Sequence, residues 1–276
     1  MEKLSLKEKI DSGIAKEYTL SIRLMPDGFS FSIHNFLLEN SFCYESHIFP
    51  AGKCFLSALE ESILRNEQLL LPFGKINVLV ASNRFTLVPE PFYADSEKEK
   101  LFDFNLNRAH EVILTNRMKQ TGAVNIYGIE KDVYAFLLRT FHNPNFFHHI
   151  SVLTEYFAGR SKLGNSAKMI CQYRPGMIDI ICFRKGKLLL ANSFKALHPN
   201  DATYFILNCW KNSGLDAEGD TLQITGDQKL CQEVSSLLTP YLAHIEPIVF
   251  PTQIFTMGKE SIKSPFDLIA LDICGL

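Results

Sequence analysis

Tyr18-Thr-Leu-Ser-Ile-Arg-Leu24 runs through Met25-Pro26-Asp27-Gly28 into Phe29-Ser-Phe-Ser-Ile33. Two short β-prone runs joined by a Pro-Asp-Gly turn read as a hairpin. A third strand (Phe42–Phe49), a helix (Lys53–Gln68) and a strand (Ile76–Ser82) complete the series. The series then recurs. Ala167-Lys-Met-Ile-Cys-Gln-Tyr173, an Arg174-Pro175-Gly176 turn, Met177–Phe183, a strand (Lys187–Phe194), a helix (Pro199–Asn212) and Thr221–Thr225 follow in the same order. An offset of about 150 residues is too long for a solenoid repeat and fits a duplicated domain. The expected architecture is α/β, with two β-β-β-α-β units facing a cleft.

Composition agrees with an ordinary folded chain. Of the 276 residues, 46% are hydrophobic and 21% charged, enough apolar material for two cores. A formal net charge of −2 supplies no basic field for phosphates, which argues against direct nucleic-acid binding. No apolar run approaches the roughly 20 residues of a membrane span, and the N-terminus carries no signal-peptide pattern. The seven cysteines form no C-x-x-C pair and read as small buried hydrophobes of a reducing compartment. The expectation is a cytoplasmic protein without membrane insertion.

Amphipathic spacing fixes both crossover helices. Leu56, Leu59 and Ile63 share one face of the first; Ala202, Phe205, Ile206 and Cys209 share one face of the second. Gly186 supplies the positive φ of a tight turn after Phe183. Between the repeats lies a stretch without a counterpart: Pro89-Glu-Pro91, a short helix in Ser96–Phe104, strands Glu111–Thr115 and Ala123–Tyr127, and a helix marked by Val133, Phe136, Leu137 and Phe141. This suggests a subdomain inserted at about 90–145 in a first domain of 1–150, with a second domain at 151–276. Residues up to Glu17 read as a frayed lead-in and Gly159–Ser166 as a flexible linker. Further on, a helix around Leu230–Leu238, a strand Ile248–Phe250 and a last helix Pro265–Leu271 are expected.

The duplicated meander, helix and strand resemble the actin-like (duplicated ribonuclease-H-like) fold of actin, heat-shock 70 chaperones and sugar kinases. The likeness is nearest to the branch with the type IV pilus assembly actin-like protein and the cytoplasmic domain of the type II secretion L protein. The whole chain also looks like a bacterial family of unknown function with that fold. The resemblance covers about Tyr18 to Leu271. It implies that the two hairpin turns act as jaws on nucleotide phosphates, each with an aspartate for Mg²⁺ and glycines for close backbone approach.

This chain departs from that pattern at both jaws. Setting Gly28 on the D-x-G motif puts Pro26 at the aspartate; phasing on the strand puts Arg23 there, and Asp27 falls one residue out of register. In the second jaw the pattern D-x-G-G-G-T-T-D falls on Gln172 to Asp179, and only Gly176 and Asp179 match. Gln172 stands for the metal-linked acid, and Pro175 removes a donor. The adenosine motif Ile224-Thr225-Gly226-Asp227 keeps one glycine. If any nucleotide binding is retained, its candidates are Asp27, Gly28, Gly176, Asp179 and Gly226. No cofactor, metal site or catalytic residue is expected.

Other candidates have plainer readings. His142, His148 and His149 suggest a metal, but adjacent strand residues point to opposite faces, so a surface or half-buried structural role is expected. Gly159–Ser166 lacks the G-K-[ST] ending of a phosphate loop. Phe92, Tyr93, Phe102, Phe104, Phe146 and Phe147 exceed what a small subdomain needs and form a candidate patch for a protein partner. The functional expectation is a non-enzymatic actin-like scaffold or adaptor with a degenerate cleft. The alternative is an ATP-binding protein or phosphotransferase with a rearranged site.

Overall fold

The computed structural model describes residues 10, 13–162, 164, 166–258, 260–274 and 276. Most of the expected lead-in, and Leu163 and Asn165 of the expected linker, lie outside the described residues.

The chain opens with β1 (Thr19–Met25), β2 (Gly28–His34), β3 (Cys43–Ile48), helix α1 (Phe55–Leu64) and β4 (Lys75–Val80). β5 (Phe85–Pro89), α2 (Lys98–Asn105), β6 (Glu111–Met118) and β7 (Ala123–Glu130) follow, then α3 (Lys131–Thr140), β8 (Asn145–His148) and α4 (His149–Arg160). The second half holds β9 (Lys168–Arg174), β10 (Gly176–Arg184), β11 (Lys187–Ala196), α5 (Pro199–Asn212) and β12 (Thr221–Gly226). It ends with α6 (Gln228–Leu238), β13 (Ile245–Pro247), α7 (Thr252–Thr256) and α8 (Phe266–Leu271).

Two five-stranded sheets carry the same topology, β3-β2-β1-β4-β8 and β11-β10-β9-β12-β13. In each, the first three strands are antiparallel and the fourth and fifth run parallel to the first. The reason is local. Two-residue turns, Pro26-Asp27 and Pro175-Gly176, force antiparallel neighbours, whereas a helical crossover returns the chain parallel. Lys185 and Gly186 both adopt positive φ, 51° and 80°, giving the turn that matches strand twist between β10 and β11.

β5, β7 and β6 form a separate antiparallel sheet over which α2 packs. Relative to the second repeat, this insertion spans 85–130, because α3 occupies the place that α6 takes between the fourth and fifth strands of its sheet. The core of the insertion is Phe102, Ile113, Val124 and Ile126, all buried. Gly128 makes room for it: a Cβ there would stand 3.2 Å from the Phe102 ring.

Several expectations need correction. Ile10 and Ala15 are buried in the main core, so the segment before β1 is packed where it is described. Gly159 and Arg160 continue α4 rather than start a linker, and Arg160 lies over the Tyr156 ring at 3.7 Å. The fifth strand of the second sheet is Ile245–Pro247, three residues earlier than expected. β5, β8, α4 and α7 were not foreseen. β5 ends in Pro89, which an edge strand tolerates. α4 is buried from His149 through Ala158, so it shows no amphipathic stripe by which sequence could reveal it.

α4 lies at the centre. One hydrophobic cluster joins the first sheet, α4, Ile170, Ile181 and Phe183 of the second sheet, and Phe266, Leu268, Ala270 and Leu271 of α8. A second cluster packs the other face of the second sheet under α5 and α6.

Candidate functional site

The tips of the two hairpins border a cleft of about 680 Å³, which falls within the usual size of small-molecule pockets. Pro26 and Asp27 line it from the first sheet, Pro175, Gly176 and Gly226 from the second, and Pro265 and Phe266 from the C-terminal segment. Arg23 and Gln172 also line it.

Arg23 is 2% exposed in the middle of β1. Its guanidinium grips Asp267 of α8: Nε donates to both carboxylate oxygens at 3.0 Å, and Nη2 to Oδ2 at 2.8 Å. Gln172 of β9 donates its Nε2 to the same Oδ2 at 2.9 Å. Burial works against both charges, but each offsets it for the other. The Arg23 guanidinium is held above its ordinary value and the Asp267 carboxyl below the usual carboxylate range.

Beside this pair lies a second buried carboxylate. Asp179 of β10 is flanked in register by Gln172 and Ser193. Arg174 Nη1 donates to its Oδ2 at 2.6 Å, and Ser193 Oγ to its Oδ1 at 2.6 Å. His149 Nε2 lies 2.9 Å from the same Oδ1, and His149 Nδ1 lies 3.3 Å from the Val80 carbonyl. The imidazole thus bridges the Asp179 carboxylate and the Val80 carbonyl. Although burial disfavours the anion, Arg174 and His149 hold the Asp179 carboxyl far below its ordinary range.

His148 contrasts with its neighbour. Its Nδ1 accepts the Ile150 amide at 3.4 Å, and its Nε2 faces the Ser82 carbonyl at 3.1 Å. One nitrogen accepts and the other donates, which defines the neutral ring, and burial together with His149 pushes its pKa well below the ordinary histidine value. The two rings are 4.5 Å apart and both fully buried. The expected opposite-face geometry fails because His148 ends β8 and His149 begins α4. A surface or half-buried role therefore does not hold for this pair; His142 alone is exposed.

The retained family glycines have local reasons. A Cβ on Gly28 would fall 2.1 Å from the His47 carbonyl oxygen, and one on Gly226 would fall 1.8 Å from that of Tyr173. Gly176 takes φ +80° after Pro175, as the third residue of a proline-led turn requires. Asp27 is exposed at its turn, away from the buried network. Asp227 caps α6, accepting the Leu230 amide at 3.0 Å. Among the candidates, then, only Asp179 joins the buried network. Sequence reasoning gives His149 and Arg174 no part in this network and does not point to Ser193 or Asp267. Asp267 carried a usable signal, a lone acid in the apolar run Phe266–Leu271.

The proposed aromatic patch divides. Phe102 is fully buried, so it is core and not surface; the insertion needs it to fill its sheet-helix interface. Phe146 and Phe147 are half-buried against the main core, and Tyr93 is half-buried beside the insertion's core. Phe92 and Phe104 are 79% and 89% exposed. His110, Glu130 and Asp132 bring ligand atoms within 4.8 Å of one another, but all three are exposed, and Glu130 already caps α3 through the Asp132 and Val133 amides. Among the described residues no helix is long and apolar enough to cross a membrane.

Comparison with solved structures bears out the fold. The chain is 32% identical to a Bacteroides thetaiotaomicron VPI-5482 protein with an actin-like ATPase fold and unknown function, with a TM-score of 0.84 over 96% of this chain and 99% of that one. It also matches a structure of the PilM-PilN type IV pilus biogenesis complex at 12% identity and a TM-score of 0.55, covering 93% of this chain and 99% of that one. No curated protein matches its sequence. The model of a family described as "Protein of unknown function (DUF3822)" matches residues 7–245, so with these two actin-like sheets the chain belongs to the DUF3822 family.

Proposed function

We propose that this protein is a non-catalytic actin-like scaffold or adaptor, acting through a protein partner and not through nucleotide turnover. One observation carries the reading: Arg23 and Gln172, which strand phasing and the family resemblance set at the positions of metal-handling acids, both donate to Asp267 of the same chain. A guanidinium at that position repels Mg²⁺, and the nearby carboxylates are saturated by their own donors. Pro26 and Pro175 remove amide donors from both jaws. The PilM-PilN structure supplies a parallel in which a protein of this fold is found in a complex. Phe92 and Phe104 are the exposed rings of the insertion that a partner could cover.

The alternative, a nucleotide-binding protein or phosphotransferase, draws support from the open cleft beside Gly226. Incubating the purified full-length chain with Mg-ATP separates the two. The expected result is phosphate release no faster than the buffer blank. Turnover that disappears on a single cleft substitution such as Asp27→Asn would overturn the scaffold reading.

A further inference from the structure

α8 is held at both ends by carboxylates. Asp267, in its first turn, meets Arg23 and Gln172 as described. Asp272, just past its last residue, lies 3.1 Å from His34 Nε2 and accepts Asn77 Nδ2 at 3.4 Å. Next to Asp267, Phe266 packs on Tyr156, Phe157 and Phe250 at centroid distances of 5.1, 5.4 and 5.3 Å. Arg23, His34 and Asn77 belong to the first sheet, and Gln172 to the second. One carboxylate, that of Asp267, thus touches both sheets.

We propose that Arg23 and Gln172 form a carboxylate-binding site spanning the two sheets. Its resident ligand is the chain's own Asp267, through which α8 clamps the sheets in one arrangement without any external ligand. The inference deepens the scaffold reading and rests on it, because it names what occupies the position left by the jaw acids. The chemistry favours a carboxylate. A planar guanidinium fork matches two coplanar oxygens. The Gln172 amide turns its donor to the carboxylate, and its own Oε1 stays without a partner. Asp179 does not compete for Arg23, since Arg174, His149 and Ser193 already engage its oxygens. Asp267 itself is fully buried.

The full-length Asp267→Ala variant tests this, because it deletes the carboxyl group alone and leaves a space of the size of formate. Thermal unfolding is followed in sodium formate, sodium chloride and sodium phosphate at equal ionic strength. In chloride the variant should melt below the parent. Formate should raise its melting temperature saturably by about 5 °C, with no comparable gain in the parent or in Arg23→Met/Asp267→Ala. Phosphate should act like chloride. Formate acting no better than chloride, an equal gain in the parent, or phosphate matching formate would each overturn the assignment. If Asp267→Ala does not fold, Asp267→Asn keeps the shape and removes the charge. Faster amide exchange in α8, with β4 and β12 still protected, supports the clamp, and unchanged exchange in α8 overturns it. Nucleotide is absent throughout, so a failed rescue would leave an absence of ATP hydrolysis standing, and ATP hydrolysis would leave a successful rescue standing.

Discussion

Arg23 on the first strand and Asp267 on the last helix, 244 positions apart, form a two-pronged ion pair with side chains 2% and 0% exposed. Taking two charges out of water is unfavourable, so such a pair adds little over a well-packed apolar replacement, whereas breaking it is severe.

Arg23→Met alone should therefore lower stability by about 3–5 kcal/mol, since it strands a buried carboxylate. Arg23→Met/Asp267→Leu should recover much of that loss. Urea midpoints for the two single variants and the double variant measure the coupling; additive losses would show that the pair is not an energetic unit.

Acid should destabilise the protein in two stages. His148 is held neutral in the folded chain with its pKa depressed, while the unfolded ring protonates near pH 6.5. Below about that pH the unfolded state binds the extra proton, and stability falls by up to about 1.4 kcal/mol per pH unit. The Asp179 and Asp267 carboxyls are also depressed, so their contributions are complete above about pH 4 and are lost as pH falls through their folded values. His148→Asn keeps an acceptor for the Ile150 amide and cannot titrate. Melting curves from pH 7 to 5 should be flatter for it than for the parent.

Phe102 and Phe104 are two positions apart and should behave oppositely. Phe102→Ala opens a cavity in the insertion and should cost about 3–5 kcal/mol. Phe104→Ala should change stability by no more than about 0.5 kcal/mol. Urea unfolding checks both, and a destabilised Phe104→Ala would mean that this ring is part of a core.

Gly226→Ala should be poorly tolerated even with no ligand present. Its φ of +126° and the approach to the Tyr173 carbonyl leave no place for a methyl group. A lower melting temperature in ligand-free buffer is the expected outcome. A variant as stable as the parent would return Gly226 to the list of ligand-dictated glycines.

Local chemistry alone determined the repeated meander, its prolyl turns and the amphipathic α1 and α5, because turn geometry and side-chain periodicity act within a few residues. It also marked Asp179 as a lone acid in an apolar strand. What the tertiary structure alone decided was α4, which is buried on every side and so carries no stripe to read. It likewise decided that Phe102 is core, that His148 and His149 stand side by side, and that Asp267 returns from the far end of the chain to Arg23. The histidine pair follows from the strand-to-helix junction between its two members, and the others depend on contacts between distant segments, whose partners leave no spacing in a single sequence.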